Sequence, residues 1–133
     1  MQKDFLDLYR AVITTEGQIK DVGRDECIKL ISAAYEVGYP SGDYGSLETG
    51  KINIENVRYL RRSILTFLCL YSEVFEEDGT IKVCGREKCK SLIYYALCIR
   101  PYENFGNPET GWMNPANIIA LYKELRNVQE QTS

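Results

Sequence analysis

Gly45–Lys51 reads GSLETGK, the spacing of a phosphate loop. That chemistry needs backbone N–H groups around the phosphates, a lysine that reaches them, and a following Ser or Thr on magnesium. Ile52 stands where the hydroxyl is required, and the preceding segment has helical rather than strand periodicity, so the stretch reads as a solvated turn. Phe75–Val83, FEEDGTIKV, has the middle of a calcium loop, with Gly79 at its turn and Ile81 two residues on. In that register Val74 and Gly85 take the first and twelfth positions, where carboxylates must stand, so calcium is not expected. Cys84 and Cys89 have the wrong spacing for a zinc knuckle, and without histidine only a Cys-based site could form. No metal and no cofactor is therefore expected. The missing histidine also removes the commonest general base. Asp43 and Glu48 have no companion nucleophile, so no catalytic residue is assigned and the chain is read as non-enzymatic.

Two other residue sets suit contact with a macromolecule. Ten tyrosines against one tryptophan and four phenylalanines is a skewed usage, and tyrosine joins rigid contact area to a polar tip. Tyr39, Tyr44, Tyr102, Phe105 and Trp112 fall in the two longest connectors, where a core role is not automatic, and are the candidate partner-binding residues. Arg58, Arg61 and Arg62, followed by Lys82, Arg86, Lys88 and Lys90 with Tyr95 among them, form the alternative: a basic surface for nucleic acid or a nucleotide. Residues 1–57 carry 6 bases and 10 acids and residues 58–102 carry 8 bases and 5 acids, so this basic stretch also fits pairing with the acidic N-terminal part.

The elements that must position these residues are helices. Lys3–Thr14, Asp25–Val37, Asn53–Phe75, Arg86–Arg100 and a segment from Asn114 to about Gln129 each place apolar residues at helical spacing. Gly38 followed by Pro40 ends the second, Arg100 before Pro101 ends the fourth, and Asn53 and Asn114 are N-cap residues. Ile64–Tyr71 contains only Thr66 as a polar residue, and a helix that is apolar all round is buried all round. On this basis Leu68→Asp is expected to abolish cooperative folding. Cys69 and Cys98, in apolar runs, read as small core hydrophobes. Thr80–Cys84 alternates like a short strand, for which Lys51–Ile54 is the partner in sight. No internal repeat is evident.

The expected fold is therefore all-α: a single domain over residues 1–133, a bundle of about five helices around a central buried helix 53–75, with one minor β-ribbon at 51–54/80–84. At 133 residues, 44% apolar and 26% charged, the chain is an ordinary globular sequence and not a disordered one. No uninterrupted apolar run approaches the ~20 residues of a membrane span; Phe67–Tyr71 has five. The acidic, amphipathic N-terminus is no signal peptide, and position 2 is not glycine, so a cytoplasmic address is expected. The expected function is a small protein–protein interaction module with no membrane role. An adaptor fits, as does an inhibitor encoded by a phage, virus or mobile element against a host defence protein. Homodimerisation stays open.

Overall fold

Phe5, Leu8, Tyr9 and Val12 recur at the helical period, and in the computed structural model they are the buried stripe of helix α1 (Phe5–Val12). Four more helices follow: α2 (Arg24–Val37), α3 (Ile54–Val74), α4 (Arg86–Ile99) and α5 (Pro115–Thr132). The structure describes residues 5–38, 43–83 and 85–132, with the backbone alone for 126–132. The fold is mainly helical, and the described residues contain no sheet. No described helix is long and apolar enough to cross a membrane.

The chain resolves into two compact units, Met1–Arg62 with Val128–Ser133, and Ser63–Asn127. The expectation of no internal repeat is corrected here, because the units are copies of one pattern. FLDLY at 5–9 returns as FLCLY at 67–71, and Gly17, Ile19, Lys20, Gly23, Arg24, Cys27, Leu30, Ile31 and Ala34 each return 62 positions on, as Gly79 through Ala96. One residue fewer in the next connector shifts the match by one. Gly45, Glu48, Thr49, Gly50, Asn53 and Asn56 then return as Gly106, Glu109, Thr110, Gly111, Asn114 and Asn117. Each unit thus runs helix, hairpin, helix, hairpin, helix. The last helix of the first unit and the first helix of the second are one continuous element, α3.

The geometry repeats with the sequence. The rings of Phe5 and Tyr9 lie 6.1 Å apart at 52°, and those of Phe67 and Tyr71 lie 6.3 Å apart at 44°. Lys20 Nζ donates to the Arg10 carbonyl at 2.8 Å, and Lys82 Nζ to the Ser72 carbonyl at 2.8 Å, each satisfying a carbonyl near the end of the preceding helix. Asn56 Nδ2 donates to the Asp43 carbonyl at 2.7 Å, and Asn117 Nδ2 to the Asn104 carbonyl at 2.7 Å.

The β pairing is local rather than between 51–54 and 80–84. Ile13 bridges Ile19, Gly45 bridges Ile52, Phe75 bridges Ile81 and Gly106 bridges Met113, each across its own short turn. The sequence of the second turn, GSLETGK, is therefore a hairpin; Gly106–Trp112, GNPETGW, closes the same hairpin with no lysine in it. The sides of α3 also need correction. Ile64, Phe67, Tyr71 and Val74 are its buried stripe in the second unit, whereas Leu68 and Leu70 are half-buried and Leu65 and Cys69 are exposed. Cys69 is thus no core filler, and Cys98 is only half-buried. Phe67, fully buried, carries the weight expected of Leu68.

Candidate protein-interaction surface

Of the four connector aromatics among the described residues, two are exposed to solvent. Tyr102 is 61% exposed and Trp112 63%. Tyr44 and Phe105 are corrected to core residues at 4% and 0%; they occupy equivalent places in the two units and anchor the second hairpin of each. Asn53 N donates to the Tyr44 carbonyl and Asn114 N to the Phe105 carbonyl, both at 3.0 Å. In the first unit Tyr35 Oη accepts from Tyr44 N at 3.3 Å and donates to the Gly45 carbonyl at 3.2 Å, and the two rings meet edge to face. Tyr39 lies outside the described residues.

The basic candidates belong to different units: Arg58, Arg61 and Arg62 to the first, Lys82 to Lys90 and Tyr95 to the second. The repeat explains two of the arginines as packing residues. Arg58 lies over the Gly17 turn, where a Cβ would come within 2.8 Å of Cζ, and its counterpart Ile119 lies over the Gly79 turn. Arg61 sits 4.9 Å above the Tyr9 ring, and its counterpart Tyr122 stacks on Tyr71 at 3.7 Å. Burial, with Tyr122 alongside, raises the Tyr71 phenol above its ordinary value. A cation over a ring in one unit is thus replaced by a ring over a ring in the other. Arg62 is exposed and makes no such contact among the described residues.

In the second unit Lys82 is engaged with the end of α3, and Lys90 pairs with Glu87 at 3.4 Å. Arg86 and Lys88 are exposed, and neither has a carboxylate partner among the described residues. Tyr95 is half-buried, with its ring edge-on to Tyr94 at 5.2 Å. The Arg86 stem crosses the Gly111 turn so closely that a Cβ at 111 would meet Cγ at 2.6 Å. Gly111, at φ +85°, supplies a conformation that side-chain-bearing residues rarely adopt. The next residue is Trp112, whose backbone is pinned by N–H donation to Thr110 Oγ1 at 3.2 Å and by carbonyl acceptance from Asn107 N at 2.7 Å. Arg24 crosses the Gly50 turn of the first unit at the same 2.6 Å, so the Arg86 stem is a packing residue of the repeated pattern, and the exposed Trp112 follows the turn that it covers.

Comparison of the units adds Val83 and Tyr94 to the connector candidate Trp112. Val83, Tyr94 and Trp112 are exposed at 108%, 53% and 63%. Their counterparts in the first unit are Asp21, Ser32 and Lys51, all exposed as well. The pattern folds with polar residues at these positions, so the apolar ones are not required by the fold. The first unit does the reverse on a smaller scale, exposing Leu47 and Tyr59 where the second has Pro108 and Ala120. Among the described residues no three His, Cys, Asp or Glu side chains gather as a cation site. No protein-family model, curated protein or solved structure matches the chain.

Proposed function

We propose that this protein is a non-catalytic interaction module, an adaptor or an inhibitor, that binds another protein through the exposed aromatic surface of its second unit. The observation that carries this is the exposure of Val83, Tyr94 and Trp112 where the sister unit uses Asp21, Ser32 and Lys51. Large apolar side chains in water give the fold no transfer free energy, whereas the same groups buried against a partner contribute roughly 1.5–3 kcal/mol each. Tryptophan and tyrosine are also the residues on which binding energy concentrates. The rim is of mixed sign, with Arg86 and Lys88 beside Glu87 and Glu109, which suits a protein surface better than a polyanion.

The test uses the unit's own alternative residues. Trp112→Lys with Tyr94→Ser gives the second unit what the first already carries, so the variant is expected to melt as the parent does. Both proteins serve as bait in the same lysate. A protein retained by the parent and lost by the variant supports the proposal; identical retention by both, or none by either, overturns it.

A further inference from the structure

α3 carries a surface of its own, separate from the aromatic one. Val57, Leu60, Ile64, Phe67, Tyr71 and Val74 are buried along one side of this continuous helix. At 3.6 residues per turn the opposite flank carries Arg58, Arg62, Leu65, Cys69 and Glu73, all of them exposed. The flank is ordered along its length: bases, then two apolar side chains, then an acid, with Glu76 and Glu77 exposed in the hairpin just past the helix end. Arg58, Arg62, Glu73, Glu76 and Glu77 form no ion pair among the described residues. The sister elements show that the fold does not ask for this order. Where the second unit has Cys69, Ser72, Glu73, Glu76 and Glu77, the first has Asp7, Arg10, Ala11, Thr14 and Thr15, and in the same register Leu65 answers to Lys3. Arg10 in the last turn of α1 complements the negative end of the helix dipole. The last turn of α3 has no base and has Glu73 instead, which opposes the dipole.

A flank that is basic at one end, apolar in the middle and acidic at the other is complementary to itself turned end for end. A two-fold dimer uses such a surface, because one patch serves both partners. In an antiparallel pair centred at the level of Phe67, Leu65 and Cys69 lie about 3 Å to either side of the centre, so each Leu65 meets the partner's Cys69. Arg62 then comes level with the partner's Ser72 and next to the partner's Glu73, and Arg58 level with the partner's Glu76. A parallel pair would set arginine against arginine and glutamate against glutamate. We infer that a second copy of this chain docks antiparallel on the outer flank of α3, with Leu65 and Cys69 at the centre and Arg58 and Arg62 facing Glu73 and Glu76 at the rim. One helix a side offers less than the roughly 800 Å² per partner of a standard interface, so the dimer is weak, with a Kd on the order of 10–100 μM.

Analytical ultracentrifugation of the full chain, from well below to well above that concentration range, tests this. The parent is expected to pass from monomer to dimer, and added salt to weaken the dimer because its charge pairs lie at an exposed rim. Arg58→Glu with Arg62→Glu makes the rim acidic throughout, and Glu73→Arg with Glu76→Arg makes it basic throughout. Each double variant alone is expected to self-associate roughly tenfold more weakly, and an equal mixture of the two to recover a dimer, since only the mixture sets opposite charges together at both ends. Trp112→Lys with Tyr94→Ser is expected to dimerise as the parent does, which separates this surface from the aromatic one. The place of Arg58 is held by Ile119 in the sister unit, so the fold tolerates its loss. Circular dichroism checks each variant; if either double variant does not fold, Arg62→Glu alone and Glu73→Arg alone are mixed in the same way. A parent that stays monomeric at every concentration overturns the inference. A dimer that the charge variants leave intact, or that the Trp112 variant loses, overturns it too, as do two weakened variants whose mixture recovers nothing.

Discussion

Gly38 shows how one residue depends on another's outermost atom. It sits at the end of α2 at φ −83°, so it is not the left-handed cap that a terminal glycine suggests. A Cβ there would collide with the Tyr44 hydroxyl and come within 3.1 Å of the Ala34 carbonyl. In the second unit the counterparts are Arg100 and Phe105: the side chain is present and the hydroxyl is gone. Gly38→Ala is therefore expected to cost about 1–3 kcal/mol, the range for overpacking a filled site. Tyr44→Phe in the same chain is expected to recover most of it. Denaturant midpoints of the two single variants and the double variant give the coupling; additive costs would mean that the hydroxyl is not the obstacle. Sequence showed a glycine before a proline and so suggested a cap. The real requirement is a space, and spaces are created by residues distant in the chain.

The helices themselves were readable because a buried stripe imposes the 3.6-residue period on any sequence that forms one. α2 ends at Val37 as the spacing places it, α4 ends at Ile99, one residue short of the expected Arg100, and Asn53 caps α3, its Oδ1 accepting from Asn56 N at 3.3 Å. The hairpins were not readable. Each holds a single bridge, and so short a pairing leaves no alternating pattern. α3 misled for a different reason. Its two halves serve different units, and with Leu65, Leu68 and Leu70 added to the second stripe the whole looks apolar all round. Phe67→Ala is expected to cost about 3–5 kcal/mol, as removal of a fully buried ring does, whereas Leu65→Ala is expected to stay within about 0.5 kcal/mol. Equilibrium unfolding of the two variants checks this. Equal costs would mean that α3 is buried on both sides after all.

At the scale of the molecule the duplication is the fact that sequence contained and periodicity did not reveal. Its identities are scattered through core positions, turn glycines and two asparagines, and one residue fewer in the second unit breaks the register midway. The candidate surface was legible in part for the same reason. Trp112 and Tyr102 stood out as aromatics in a connector, whereas Val83 and Tyr94 become informative only beside Asp21 and Ser32. Two copies in one chain separate what the fold demands from what it merely tolerates: Lys20 and Lys82 make the same bond, and Lys51 and Trp112 share a place with nothing chemical in common.

The join between the units lies inside α3, not in a loop, and this makes the chain extensible. Lys123 on α5 corresponds to Arg62 on α3, so a second copy of residues 63–123 spliced after Lys123 would continue an existing helix, as Ser63 does after Arg62. A chain lengthened in this way needs no designed connector, because helical propagation supplies one. Circular dichroism and cooperative melting of the lengthened chain would show whether the pattern obeys a grammar that allows a third phrase.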